Sequence, residues 1–293
     1  ATVANMAPAD AVKTLNILYQ LRGHLLVAQE LFVGGQRDQA VEQATIPAKD
    51  LFDAVASSLQ AQGQDQKVRA ALDHYVVALG QGGPEATAGH QAALQAVDGA
   101  IVTLAGPSGP GDPALRGPLL QALVTKAGAE YAEGVKDGKV TEDEPYQSAY
   151  GILLAALSLS PQASPAAPLL ADPASVLHGI ETLRGVTGTP EADTETPAEN
   201  IAAARDDVRG ALELYKAGQA DAAYEQAASV YLDRFEKLEV ALGKLDNNIV
   251  PTLETDFKAL RDGIKAGQPA AELEVIAARL DSGLVRAGQL LAR

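Results

Sequence analysis

Two stretches of this chain repeat each other at a fixed distance, and that duplication limits its fold more than any other feature. Setting residues 27–44 beside residues 210–227 (211 − 28 = 183) makes ten of eighteen positions identical. Glu30 meets Glu213, Leu31 meets Leu214, Phe32 meets Tyr215, and Gly35-Gln36 meets Gly218-Gln219. Asp38, Ala40 and Glu42-Gln43-Ala44 meet Asp221, Ala223 and Glu225-Gln226-Ala227. The same offset carries on through Asp50/Asp233, Phe52/Phe235, Asp53/Glu236, Val55/Leu238 and Leu59/Leu242. Each copy reads as a helical hairpin. A helix ends on an aromatic residue, a glycine takes the C′ position, an Asp caps the next helix, and Ala sits where the two helices cross closely. Copies 183 residues apart suit duplicated halves better than a tandem solenoid, whose units recur about every 34 residues.

The rest of the chain is patterned for helix. Over residues 9–33, Val12, Leu15, Leu18, Tyr19, Leu21, Leu25, Leu26 and Leu31 recur at helical spacing until Gly34-Gly35 stops them. A second stretch covers 38–62 with Pro47 as a kink or break, followed by helices near 65–79 and 84–104. Helical patterning resumes over 114–135 and 144–159, and again over 201–216, 221–245, 249–265 and 270–292. No segment alternates like a half-buried strand. The expectation is an all-α protein, helical bundles of about ten helices. The run Gly106-Pro107-Ser108-Gly109-Pro110-Gly111-Asp112-Pro113 cannot hold a helix interior. It divides the chain into an N-terminal bundle over 1–105, a linker over 106–118 and a C-terminal bundle over 119–293. Aromatic content is 4% with no Trp, so Ala, Leu and Val must build the core. Phe32, Phe52, Tyr215 and Phe235, which recur at matching places in the repeat, are expected to be buried.

Charge and inventory exclude several functions. A net charge of −15 argues against a nucleic-acid partner, because phosphate recognition depends on clustered Lys and Arg. Acidic surfaces favour solubility and cations. With no Cys, thiolate metal sites and cysteine nucleophiles are absent. The longest apolar runs, such as residues 152–157, fall far short of the roughly 20 residues of a membrane span. The opening Ala1-Thr2-Val3-Ala4, without a Met or a charged leader, suits a periplasmic or otherwise secreted protein whose signal has been removed. His24, His74, His90 and His178 lack metal-hydrolase spacing, and no nucleophile elbow or phosphate loop occurs. A non-enzymatic role is expected.

Acidic residues beyond the needs of packing follow each repeated hairpin: Asp50 and Asp53 in the first copy, Asp233, Glu236 and Glu239 in the second. Like charges on neighbouring turns repel unless a cation relieves them. A turn centred at Asp246-Asn247 would bring Glu239 and Glu254 to one height in an antiparallel hairpin. Asp233, Glu236, Glu239 and Glu254, with Asp50 and Asp53 as a weaker counterpart, are therefore the candidate ligands of a hard metal ion such as iron, calcium or manganese. Pairing with Lys237, Lys258 and Arg261 is the competing reading. The stretch from Asp137 to Glu144 matches the second half of a calcium-binding EF-hand loop but not the first. A tight turn followed by a Thr141/Glu144 capping box explains it better.

Glu130-Tyr131, then Asp137-Gly138-Lys139-Val140, then Glu144-Pro145-Tyr146-Gln147 resemble a signature of the extracytoplasmic region of bacterial oxidase-dependent iron permeases. The run from Tyr231 to Glu239, and Pro251-Thr252-Leu253-Glu254 with Phe257, resemble the hairpin that follows in that family. The resemblance covers about residues 117–293 and implies a helical periplasmic module associated with iron uptake. Its expected partner is a membrane permease or another periplasmic protein. The membrane helices and the R-E-x-x-E transport motif of the permeases are missing, so transport is not implied for this chain. The alternative is a scaffold for protein partners without bound metal, since Leu214-Tyr215 with Gly218 and Ala222-Ala223 also resembles one tetratricopeptide-like hairpin.

Overall fold

The computed structural model describes residues 8–106, 111–160, 168–188 and 196–292. Among them the chain is all-α, with thirteen α-helices and one hairpin of two-residue strands. The order is α1 (Pro8–Val33), α2 (Arg37–Ile46), a π-helical turn (Pro47–Leu51), α3 (Ala56–Ala61), α4 (Asp65–Gln81) and α5 (Pro84–Ala105). Then come α6 (Pro113–Gly134), β1 (Val135–Lys136), β2 (Lys139–Val140), α7 (Asp143–Leu159) and α8 (Pro173–Thr187). The last part holds α9 (Pro197–Lys216), α10 (Ala220–Val230), a second π turn (Tyr231–Phe235), a 3₁₀ turn (Glu236–Leu238), α11 (Glu239–Leu245), α12 (Ile249–Lys265) and α13 (Ala270–Leu291). The helix number exceeds the expected ten because the segments 38–62 and 221–245 each break at a π turn and because α8 lies outside the ten patterned stretches.

The chain divides into two compact units between Asp193 and Thr194, not at the expected linker over 106–118. Gly106 does end α5 with φ 74°. But Asp112 and Pro113, read as linker, are a helix start: the Asp112 carboxylate accepts from the Ala114 amide at 2.9 Å, and Pro113 takes a first-turn position that needs no amide donor. Helices α6 and α7 then pack on α1. For that reason α1 is buried nearly all round, at Leu15, Ile17, Leu18, Leu21, Leu25, Val27, Ala28 and Leu31.

The duplication extends far beyond the hairpin. In the first unit α1 packs on α2 and α5, α4 on α5, and α2 on α4; in the second unit α9 packs on α10 and α13, α12 on α13, and α10 on α12. Both hairpin turns close alike. Gln36 donates to the Leu31 carbonyl at 2.8 Å and Gln219 to Leu214 at 2.9 Å, around Gly35 (φ 84°) and Gly218 (φ 79°). Only glycine takes such a positive φ without strain. The π turns are followed by Val55 (φ −124°) and Leu238 (φ −103°), the points at which α3 and α11 restart. An ion pair repeats as well: Arg22 Nε to Asp98 Oδ1 at 2.9 Å, and Arg205 Nε to Asp281 Oδ1 at 2.6 Å, each spanning 76 residues. Of the four recurring aromatics, Phe52 and Phe235 are buried. Phe32 and Tyr215 are half-buried, because they lie in the last turns of α1 and α9 where the helices run past their cores.

The Arg205 hydrogen bond holds the Asp281 carboxyl below its usual range. A depressed acid stabilises the folded state above its unfolded pKa and stops doing so as pH falls through the folded one. Asp281→Asn should therefore lower the melting temperature slightly at neutral pH and match the parent near pH 2, the effect staying small because the pair is over a third exposed. Thermal melts of both proteins from pH 2 to 7 check this, and a difference that persists at the acid end counts against it.

Candidate binding cleft

The acids singled out in the sequence do not gather. Asp53 Oδ1 pairs with Arg69 at 2.8 Å, while Arg69 also donates to the Ala48 carbonyl and holds its guanidinium 4.1 Å from the centre of the Phe52 ring. Asp50 is half-buried on the first π turn. In the second unit Glu236 and Glu239 are half-buried and Glu254 is exposed on α12, and the side chain of Asp233 lies outside the described residues. The turn between α11 and α12 does fall at Asp246–Asn248, as expected. Yet no group of three His, Asp or Glu able to hold a metal ion exists among the described residues. Glu236, Glu239 and Glu254 thus form no metal-holding group among the described residues. The expectation treated 221–245 as one straight helix. The π and 3₁₀ turns between Tyr231 and Leu238 change the residues per turn twice, which rotates the acids out of phase. Matching the buried positions Val68, Leu72, Tyr75 and Leu79 to Leu253, Phe257, Leu260 and Ile264 also puts Glu254 where the first copy has Arg69. The repeat therefore has a carboxylate in the second copy where the first has a guanidinium.

The EF-hand-like stretch is a β-hairpin, with Val135 opposite Val140 and Lys136 opposite Lys139. Asp137 (φ 49°) and Gly138 (φ 72°) form its turn, the two positive φ values that an Asp-Gly pair supplies. The capping box does not form. Thr141 turns its amide and hydroxyl to the Gly134 carbonyl, at 2.8 Å and 3.3 Å, and α7 starts after Glu142 without a side-chain cap. Gly134 lets this corner close, since a Cβ there would lie 2.5 Å from the Tyr146 nitrogen.

That corner is one wall of a cleft of about 420 Å³ in the first unit. The end of α1 supplies Glu30 and Leu31, the α1–α2 turn Gly34 and Gln36, β2 Val140, and the first turns of α7 Asp143, Tyr146 and Gln147. Leu170, Ala171 and Pro173 form the opposite wall. Two tyrosines fasten that wall down, and a third holds Glu30. Tyr146 donates to the Leu170 carbonyl at 2.6 Å, Tyr131 to the Pro173 carbonyl at 3.0 Å, and Tyr150 to Glu30 Oε2 at 2.7 Å. The Tyr131 and Tyr146 rings meet edge to face at 6.3 Å. Burial pushes all three hydroxyls up in pKa, reinforced by Asp172 and Glu30 at Tyr146 and by the Glu30 hydrogen bond at Tyr150. They remain protonated donors.

Among the described residues the charged groups lining the cleft are acidic. Glu30 and Asp143 line it, no basic residue does among the described residues, and both carboxylates are bonded by neutral donors, Tyr150 and Gln39. Gln147 is 5% exposed, lines the cleft, and makes no side-chain hydrogen bond among the described residues. A second cleft, of about 580 Å³, lies between the start of α6 and the ends of α7 and α8, lined by Arg116, Gln121, Ser160 and Thr187 among others.

Sequence reasoning passed over Glu30 and Asp143. Glu30 was visible as a repeat identity, but its counterpart Glu213 is an exposed helix acid bridged by Lys216 at 3.2 Å, so the match itself did not separate them. Tyr146 and Gln147 stand in the iron-permease-like signature, as does Val140, and all three face the cleft. Glu130 of that signature does not, being buried and paired with Lys126 at 2.6 Å. No helix among the described residues is long and apolar enough to cross a membrane. Searches of known proteins return no matching family model, curated relative or solved structure for this chain.

Proposed function

We propose that this protein is a non-catalytic accessory module of extracytoplasmic metal-ion uptake, and that it works by binding a partner at the cleft of the first unit. The supporting observation is that the residues carrying the iron-permease resemblance build this cleft: Tyr131 and Tyr146 fasten its wall, and Val140, Tyr146 and Gln147 line it. Its tyrosines are bonded and held protonated, which suits recognition better than proton transfer or attack. A function built on the acids of the second unit has less support, because those acids form no metal-holding group among the described residues.

A photo-crosslinking amino acid at Gln36, exposed on the cleft rim, tests this against one at Val275, exposed on α13. A discrete adduct with an uptake component from Gln36 alone is the expected result. Equal adducts from both positions would count against it. So would a melting temperature that rises with iron(III), calcium or manganese in the parent but not in a Glu239→Gln, Glu254→Gln variant, since that outcome returns the function to the acids of the second unit.

A further inference from the structure

The cleft's chemistry narrows what it can take. Its polar groups are Glu30 and Asp143, which accept from the neutral donors Tyr150 and Gln39, and the side-chain amide of Gln147, a residue 5% exposed that makes no side-chain hydrogen bond among the described residues. That amide opens on the cleft, where a bound group can complete its hydrogen bonding. Two carboxylates and an amide oxygen all accept hydrogen bonds. Around them Leu31, Val140, Leu170, Ala171 and Pro173 offer apolar surface. A hard metal ion fits poorly, since it gathers about six oxygens, and no group of three ligating side chains occurs among the described residues. A guanidinium or ammonium group brings donors, positive charge and an apolar stem together. The volume, about 420 Å³, also falls within the range of small-ligand sites, about 300–1,000 Å³.

We propose that the cleft of the first unit binds a positively charged organic group on an apolar stem, an alkylguanidinium or alkylammonium held by Glu30, Asp143 and Gln147. This rests on the reading that the cleft is where a partner binds, and on that reading the group is an arginine or lysine side chain of the partner protein.

Calorimetric titration of the full chain with agmatine, with acetyl-Gly-Arg-Gly-amide and with acetyl-Gly-Gln-Gly-amide tests it. Agmatine and the arginine peptide should saturate with a Kd on the order of 10 µM to 1 mM, and the glutamine peptide should not. Glu30→Gln with Asp143→Asn should weaken both cations by about tenfold or more, at an unchanged melting temperature. Gln147→Leu should weaken them several-fold while the fold stays about as stable, because the amide makes no hydrogen bond within the described residues that the change would break. No saturation by either cation up to about 10 mM, or equal affinity in the Glu30/Asp143 variant, overturns the proposal. Binding of the glutamine peptide as tight as that of the arginine peptide overturns it too, as does displacement of agmatine by calcium or manganese at these residues. Agmatine binding without the arginine peptide would keep the cation chemistry and remove the protein partner. A Gln36 adduct without either cation binding would do the reverse.

Discussion

Replacing Gly151 by alanine should lower the melting temperature of the first unit by about 6–12 °C, from a cost of about 3 kcal/mol. Helices α1 and α7 cross backbone to backbone there. A Cβ on Gly151 would lie 2.5 Å from the Gly23 carbonyl oxygen, and a Cβ on Gly23 would lie 2.5 Å from the Gly151 oxygen. A flexible side chain could swing aside, but a carbonyl inside a helix cannot, so the helices must separate and open the core along α1. Leu21, Leu25 and Val27 of α1 and Ile152 and Leu153 of α7, all essentially buried, would then lose part of their packing. The control is Gly80→Ala, near the end of α4, where a Cβ meets nothing within 4 Å. That change should leave stability equal or raise it by about 0.5–1 kcal/mol, through the helix preference of alanine. Scanning calorimetry of the three proteins is the measurement. A Gly151→Ala protein that melts with the parent would mean that α1 and α7 do not cross this closely.

The helices were legible because their apolar residues recur every three to four positions. The duplicated turns were legible because Gly35 and Gly218 hold backbone angles that other residues resist. The unit boundary was not. Gly106 ends one helix, but Asp112-Pro113 is also a capped helix start, and only the packing of α6 and α7 on α1 decides which unit that helix joins. The π turns were half legible. Pro47 announces the first, whereas the second, at Tyr231–Phe235, contains no proline to mark it. That hidden turn is what misplaced the acids of the second unit. The cleft was the least legible part, since Glu30, Gln36, Val140, Asp143, Gln147 and Leu170 come from distant points of the chain and no spacing rule links them. What the sequence does carry is a short signature that contributes one wall.

The second large effect should come from Phe235, where alanine should cost about 3–5 kcal/mol and lower the melting temperature of the second unit by at least about 12 °C. Phe235 is fully buried. Its ring centre lies 5.2 Å from that of Phe257 and 6.0 Å from that of Tyr231, and Tyr231 and Phe257 meet at 5.9 Å, so the three close a triangle in the core of the unit. At the matching place in the first copy, Phe52 has the Arg69 guanidinium over its ring instead. The duplicated position thus serves an aromatic cluster in one unit and a cation–ring contact in the other. Leucine separates the two cases, because it restores most of the buried volume but no ring. Phe52→Leu should cost under about 1.5 kcal/mol, the range of a volume-conserving exchange. Phe235→Leu should lose in addition two aromatic contacts worth about 0.5–1.5 kcal/mol each. A double-mutant cycle between Phe235→Leu and Phe257→Leu, read by chemical denaturation, should therefore show a coupling of at least about 0.5 kcal/mol. A coupling of zero would reduce the triangle to plain buried area and remove the asymmetry between the copies.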